Sequence, residues 1–260
     1  MKASDFVRAY RGKGLTAWEK AVESLAAQGG RVAWPFYPLT FDANDARGQT
    51  HRVVVPVAVD YLAIGEPGEC MRMPLTPEMA QAILNQHGEL LPTPKLVDLM
   101  AQLAPVQITA RAMVPNKGAD LEQYLAHSQL IDGDVAAKAP KAGALLFGSK
   151  KDVVVSNIMA PGKVVIYGPK WAQKQGLSNI HGNFYVDYSH GIRAVAGTSL
   201  VDGQEIPTER LYTDPVLAPL VSNEGPLRSP RYKTSAPVAP GSLGLAAEGM
   251  AVLIAQGALR

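Results

Sequence analysis

The sequence predicts an α+β fold in a single globular domain. Two observations predict it: a middle segment with clear helix-start signals, and a following series of short β-branched segments separated by turns. Hydrophobic residues make up 47% of the 260 residues, which is enough for a sizeable core. We expect residues 1–50 to pack on a main domain of residues 51–222, followed by an irregular wrap and a C-terminal helix in residues 223–260.

The N-terminal part predicts one helix and two strands. Residues 16–19, TAWE, have the pattern of a capping box, so a helix is predicted over residues 16–28. Segments 31–39 and 51–65 are apolar and β-branched, as strands are. Pro56 lies in the second segment and has no amide hydrogen to donate, which indicates an edge strand or a bulge.

Three helices are predicted in the middle of the chain. Thr-Pro pairs at residues 76–77 and 93–94 each place threonine at the N-cap and proline at the first helical position. The first of these helices should end near Gln86 and the second before Pro105. A third is predicted over residues 119–130, after a PNKG turn.

From residue 143 onward the pattern favours strands. The predicted strands are ALLF, DVVVSN, KVVIYG, NFYVDY and IRAVAGTSLV, and the second and third form an antiparallel hairpin around the turn APG. Residues 223–244 are rich in Pro, Ser and Gly and should be irregular. The segment LAAEGMAVLIAQGAL then predicts the C-terminal helix.

Composition excludes several function classes. The net charge of +2 is spread without blocks of one sign, so we expect no nucleic-acid partner and no membrane-surface partner. No apolar run approaches the ~20 residues of a membrane span. The first twenty residues lack the apolar core of a secretory signal, so we expect a soluble protein that is intracellular, processed, or delivered by a virion or secretion machine.

The sequence predicts neither a metal nor a cofactor. Its single cysteine, Cys70, excludes a disulfide framework and a cluster of zinc-binding thiolates. A glycine-rich phosphate loop and a helical His-Glu-x-x-His pattern are both absent from the sequence. A peptide or glycan substrate is the more natural expectation.

The segment NIHGNFYVDYSHGIR, residues 179–193, concentrates the reactive side chains. His181 and His190 are candidate catalytic residues, because histidine titrates near neutral pH and serves as a general base or proton shuttle. Asp187 is the candidate that orients one of them. Alternatively, the histidines bond to nearby backbone and Asp187 caps a turn.

Ser189 is the fourth candidate catalytic residue, as a nucleophile or as a turn residue. Adjacent side chains on an extended chain point to opposite faces, so His190 is poorly placed to activate Ser189, and His181 is the better partner. A working site therefore requires a turn at residues 189–191, which Gly191 favours.

Four further residues are candidates for holding the substrate. Lys151 opens a predicted strand and is suited to an anionic group, and Arg193 is suited to bidentate binding of a carboxylate. Tyr188 and Lys95 complete the set. Each has a structural alternative, as a solvated strand end, a core group or an internal ion pair.

Cys70 is an alternative nucleophile. A cysteine ahead of an amphipathic helix, with His181 or His190 on later strands, loosely resembles the NlpC/P60 cell-wall peptidases, and that resemblance implies a papain-like cysteine peptidase. In those enzymes the cysteine stands at the helix N-terminus, where its pKa is lowered. Here the helix begins six residues later, which favours a packed thiol.

Four segments, LLPTPKLVDLM (90–100), SKKDVVVSN (149–157), VVIYG (164–168) and YVDYSHGIR (185–193), resemble an uncharacterised family of bacterial and phage-associated proteins. The resemblance extends over most of residues 50–225. Ser149 stands where a histidine is common in that family, and Pro169-Lys170 where Trp-His is common. These departures weaken a metal site and leave the four catalytic candidates.

These observations lead to one leading hypothesis and two rivals. The leading one is a hydrolase that cleaves a cell-wall peptide or glycan by general acid/base chemistry at His181, Asp187, Ser189 and His190. One rival is the cysteine peptidase. The other is a non-catalytic binding or virion-structural protein, in which the polar cluster only stabilises a turn.

Overall fold

The computed structural model describes residues 1–66, 68–114, 119–169, 175–245, 249–250 and 253. Its helices are α1 (Ala3–Tyr10), α2 (Leu15–Ala27), α3 (Pro77–Asn85), α4 (Pro94–Leu103), α5 (Leu121–Lys138), α6 (Thr208–Thr213) and α7 (Ala218–Val221). Its strands are β1 (Phe36–Asn44), β2 (Thr50–Ala58), β3 (Ala63–Glu66), β4 (Glu69–Arg72), β5 (Val106–Gln107), β6 (Leu146–Phe147), β7 (Lys151–Val153), β8 (Ile166–Gly168), β9 (Gln175–Ser178), β10 (His190–Gly191), β11 (Thr198–Val201) and β12 (Gln204–Pro207).

The strands form two four-stranded sheets and two strand pairs within the described residues. The first sheet has the order β1-β2-β11-β12 and is antiparallel throughout. The second has the order β10-β7-β8-β9, and only its β10–β7 pair is parallel. The pairs are β3–β4, antiparallel, and β5–β6, parallel. The predicted α+β class is confirmed.

One cluster of buried apolar side chains joins these elements and contains residues from Ala3 to Tyr232. Its members come from α1 and α2, from both large sheets and from the irregular segment after residue 223. A single globular domain agrees with this continuous core. The boundary predicted at residue 50 falls at the first residue of β2, within the β1–β2 hairpin.

The helix-start signals of α3 and α4 are confirmed. The side chains of Thr76 and Thr93 accept hydrogen bonds from the amides of Met79 and Leu96, as N-cap residues do. Helix α5 begins near its predicted start but continues to Lys138, eight residues past the predicted end. The PNKG turn before it lies outside the described residues.

The capping box predicted for α2 is wrong, although the helix itself is confirmed. The helix begins at Leu15, with Gly14 as its N-cap. The buried carboxylate of Glu19 accepts hydrogen bonds from the Thr76 amide at 2.6 Å and from the Thr76 hydroxyl at 3.2 Å. A contact 57 residues away in sequence replaces the local cap and joins α2 to α3.

The edge position predicted for Pro56 is also wrong, because β2 lies between β1 and β11. Pro56 pairs with Pro38 on β1, so neither strand presents an amide donor at that position. On its other side the Pro56 carbonyl accepts a hydrogen bond from the Ala196 amide at 2.9 Å. An internal strand tolerates this proline because its neighbours need only an acceptor there.

The later strand predictions are confirmed in part. The β7–β8 hairpin pairs Asp152 with Tyr167 and Val153 with Ile166, as predicted. In the segment IRAVAGTSLV only Thr198–Val201 forms a strand, preceded by isolated bridges at Val195. Residues 223–245 contain neither helix nor strand. The predicted C-terminal helix lies mostly outside the described residues.

A buried ion pair connects β4 to the chain that follows β2. Arg72 donates to the Asp60 carboxylate from Nε at 3.0 Å and from Nη2 at 2.6 Å, and both residues are buried. Arg72 also donates to the Ser128 carbonyl at 3.3 Å and to the Asp132 carboxylate at 2.8 Å, both on α5. Loss of one partner would leave a buried charge uncompensated.

We therefore expect Asp60→Ala to lower the free energy of unfolding by about 3–5 kcal/mol, because Arg72 would lose its buried counter-charge. Urea unfolding followed by circular dichroism measures this change. The matched control is Asp42→Ala, which breaks an exposed pair with Arg52. Its effect should stay within about 1 kcal/mol. Equal effects of the two substitutions would contradict the dependence on burial.

A second polar contact joins the two hairpins of the first sheet. On β2, His51 Nδ1 lies 2.7 Å from the Asp202 carboxylate, and Nε2 lies 3.6 Å from the Asp45 carboxylate. The hydrogen bond to Asp202 is the main cause that raises the pKa of His51, and partial burial opposes it. The protonated imidazole is thus favoured in the folded state.

The raised pKa of His51 predicts a pH-dependent contribution to stability. This contribution is fully present below the unfolded-state pKa of about 6.5 and is lost as pH rises through the folded-state pKa. We expect His51→Gln to lower the free energy of unfolding more at about pH 5.5 than at about pH 9. Chemical denaturation at both pH values tests this, and a larger loss at the higher pH would contradict it.

Candidate functional site

The segment with the candidate histidines forms turns instead of the predicted strand NFYVDY. The Tyr185 amide donates to the Gly182 carbonyl at 3.0 Å, which closes a turn, and the Asn183 amide donates to the Gly162 carbonyl of an earlier segment at 2.9 Å. The glycine and asparagine favour these turns over extended chain. A further turn runs from Asp187 to His190, two residues earlier than the turn predicted from the sequence.

Asp187 closes this last turn through Ser189. One carboxylate oxygen of Asp187 accepts a hydrogen bond from the Ser189 amide at 2.8 Å and also from the Ser189 hydroxyl. The predicted partner of that hydroxyl was His181, but the structure pairs it with the aspartate. Aspartate side chains commonly bond to the amide two residues ahead, which stabilises such turns. The contact gives Ser189 a structural role.

The turn brings both candidate histidines to one aromatic side chain. The rings of His181 and Tyr185 are stacked, with centroids 4.2 Å apart and an interplanar angle of 14°. The rings of Tyr185 and His190 meet edge to face, with centroids 5.8 Å apart. His181 and Tyr185 are partly accessible to solvent, whereas His190 is buried. Tyr185 was not among the residues singled out in the sequence.

His190 is the least satisfied polar group of this site. Neither ring nitrogen has a hydrogen-bond partner within the described part of the chain. Burial lowers the pKa of His190 well below its ordinary value; the Asp187 carboxylate opposes this, and the positive charge of Lys151 adds to it. The imidazole is therefore neutral in this environment. Native proteins bury few polar groups without a partner, so His190 requires an explanation.

The strand next to His190 supplies two lysines. In β7 and β10, Lys151 pairs with His190 in parallel register, and its amide donates to the Ser189 carbonyl at 2.7 Å. Lys151 is partly buried, and this burial lowers the pKa of its amine. It lies beside the buried imidazole, and its contact with a substrate stays a prediction.

Lys150 was not among the predicted site residues, yet it lies beneath the turn. Its fully buried amine donates to the Tyr188 carbonyl and lies 3.4 Å from His127 Nδ1. Burial lowers the pKa of Lys150 to about 7 and the pKa of His127 to about 3. Strand alternation does not reveal this residue, because Val153 and Val154 are both buried and the two faces of the segment are not distinguished.

Three predicted substrate-binding residues use their polar groups inside the protein. Tyr188 exchanges hydrogen bonds with the backbone of Met113, at 2.7 and 2.9 Å. Arg193 is fully buried and donates to the carbonyls of Ala58 and Leu146. The amine of Lys95 donates to the Pro219 carbonyl. The geometry gives their predicted substrate contacts no support, because these donors already have backbone acceptors.

Cys70 lies within strand β4, not in the first turn of a helix, and pairs with Gly65 on β3. Its thiol is buried, and burial raises the pKa of Cys70 to about 11. Only the thiolate is an effective nucleophile, so this environment does not activate the residue. The alternative nucleophile therefore has no structural support.

A cavity of about 530 Å³ lies elsewhere, and residues of α1, α2 and the start of α5 line it. Arg11 and Glu122 form an ion pair in its lining, and no histidine lines it. Its size alone does not make it the reactive site, because it contains none of the candidate residues of segment 179–193.

Comparisons with protein-family models, with curated proteins and with solved structures found no match to this chain. Searches of the described residues found no helix long and apolar enough to cross a membrane, and no group of three or more potential metal ligands. The assignment of a function therefore depends on the geometry of the site itself.

The unpartnered nitrogens of His190 predict an unusual stability effect. Replacing the imidazole by an apolar side chain of similar volume, His190→Leu, should raise the free energy of unfolding by about 1–2 kcal/mol, because unsatisfied buried polar groups are costly. Urea unfolding at neutral pH measures the change. A loss of stability would indicate that the imidazole is bonded in the native protein.

The same substitution should change the response to acid. Because the folded-state pKa of His190 is lowered, the unfolded state binds more protons as pH falls below about 6.5, and stability is lost in that direction. We expect the gain from His190→Leu to be larger at about pH 5 than at about pH 7. Equal gains at both pH values would contradict a neutral buried imidazole.

Proposed function

We propose that the protein is a hydrolase whose acid/base groups are His181 and His190. The observation that carries the proposal is the buried, unpartnered imidazole of His190 beside the stacked pair of His181 and Tyr185. An unsatisfied buried group costs about 1–3 kcal/mol. Strained or perturbed groups of this kind concentrate at functional sites, where they provide binding or proton transfer.

The two histidines have different roles in this proposal. His181 is partly exposed and takes a proton from water as that water attacks the scissile carbon. The resulting imidazolium returns the proton to the leaving amine or alcohol, so one water is consumed and one bond is cleaved. His190 stays neutral and offers a hydrogen bond to the substrate when the Tyr185 ring moves aside.

Lys151 and Asp187 complete the electrostatics of the site. Lys151 provides positive charge beside His190, where negative charge develops on the carbonyl oxygen as water adds to the carbon. Asp187 is held by Ser189 and offsets the charge of the neighbouring lysines. In this scheme water, not the Ser189 hydroxyl, is the nucleophile, since that hydroxyl donates to the Asp187 carboxylate instead of to a histidine.

The proposed substrate is a peptide or glycan of the bacterial cell wall. The even spread of the +2 net charge favours a weakly charged polymer over a polyanion such as nucleic acid. The bacterial and phage-associated family that the sequence resembles makes the cell wall the first substrate to test. Amide and ester bonds fit the proton transfers described above, whereas a glycosidic bond requires a second acid/base group on the opposite face of the sugar ring.

One observation favours a rival, non-catalytic function in binding or in a virion. The turn around Ser189 is held by internal hydrogen bonds, and His190 is inaccessible in the closed arrangement. Such a network also suits a rigid binding loop. In that case the wild-type protein has no hydrolytic activity, and removal of either histidine does not change that.

Incubation of the protein with purified peptidoglycan tests the proposal. Soluble fragments are followed by the release of reducing sugars and free amino groups, which separates cleavage of glycosidic bonds from cleavage of amides. We expect His181→Ala to lower the rate by about 10²–10⁴, the usual contribution of a general base. Its matched control is His87→Ala, which removes an exposed histidine on another surface and should retain the rate.

Ser189→Ala separates the two possible nucleophiles. If water attacks, the rate should remain within about tenfold of the wild-type rate, because only a turn contact is lost. Loss of a serine nucleophile would instead lower the rate on the order of 10⁶. If the wild-type protein releases no fragments, the hydrolase proposal is wrong and the binding function is favoured.

A further inference from the structure

The loop that carries His181 also carries an exposed apolar surface. Ile180 is 77% exposed, Phe184 is 72% exposed and Tyr185 is 43% exposed. We call these three side chains the apolar platform. Large exposed apolar side chains carried by one loop often mark a binding surface. The position of the platform beside the candidate histidines points to the substrate.

Contacts to the rest of the protein hold the platform in place. The amine of Lys163 donates to the Ile180 carbonyl at 2.9 Å, and the Asn183 side chain donates to the Glu78 carboxylate at 3.1 Å. In the closed arrangement the ring of Tyr185 stacks on His181. A surface arranged in advance loses little conformational entropy when a ligand binds, which favours affinity.

We propose that the apolar platform binds one sugar ring of an uncharged glycan strand and presents an amide or ester substituent of that strand to His181. This proposal rests on the proposed hydrolase function and narrows its substrate to a glycan. A pyranose ring has an apolar face of C–H groups and a rim of hydroxyls. The platform offers the aromatic rings of Phe184 and Tyr185 for that face.

Charge and backbone geometry favour a glycan over a peptide. The side chains of the platform are uncharged, which matches a neutral sugar better than the ionised groups of a wall peptide. Peptides often bind by adding a strand to free backbone donors. Here the amides of Asn183, Tyr185, Ser189 and His190 already donate to acceptors within the chain.

Titration calorimetry of the full chain with a soluble hexamer of N-acetylglucosamine tests the platform. We expect Phe184→Ala to weaken binding about three- to tenfold, the effect of losing one aromatic stacking contact, and Phe184→Trp to retain it. The matched control is Val238→Ala, a similarly exposed apolar residue away from the loop, which should leave binding unchanged. Thermal unfolding establishes that each variant is folded.

Three outcomes would contradict sugar binding by the platform: no binding of the hexamer, equal binding by Phe184→Ala and the wild type, or binding of a wall stem peptide in place of the sugar.

Other outcomes test the hydrolase proposal independently. Sugar binding that depends on Phe184, without release of fragments from peptidoglycan, supports sugar binding by the platform and contradicts the hydrolase proposal. Fragment release that is unaffected by Phe184→Ala supports the hydrolase proposal and contradicts sugar binding by the platform.

Discussion

The buried ion pair between Arg72 and Asp60 is the constraint on which the arrangement of the site depends. A guanidinium in the interior needs its hydrogen-bond acceptors in fixed directions. For Arg72, Asp60 provides some of these acceptors and α5 provides the others. Strand β4, the chain after β2 and α5 are thereby held in one relative position. The position of α5 matters because its buried face lies under the loop of the candidate histidines.

That loop has almost no regular structure of its own, and side chains from α5 and β7 hold it. The Tyr124 hydroxyl donates to the Val186 carbonyl at 2.6 Å, and His127 meets the ring of Tyr188 edge to face. Lys150 bonds to the Tyr188 carbonyl from the neighbouring strand. Irregular backbone can form a precise site when its carbonyls have fixed donors, and here the interior supplies them.

The sequence predicts well the parts of this fold that depend on local interactions. The Thr-Pro helix starts at residues 76 and 93 and the β7–β8 hairpin are decided by residues a few positions apart. The wrong predictions concern residues whose contacts are with distant segments of the chain. Glu19 bonds to Thr76 instead of capping its own helix, and the loop around Asn183 bonds to Gly162 instead of extending as a strand. The assignment of the catalytic residues to one segment stays a prediction, and the sequence could not show that Arg193 has backbone acceptors in the core.

The exposed apolar platform has a consequence for the behaviour of the protein in concentrated solution. With a net charge of only +2, two molecules repel each other weakly. The loop that includes Phe184 is then the surface at which copies are expected to adhere first. A bound sugar would cover this surface, so the solubility of the protein and the occupancy of its loop are linked.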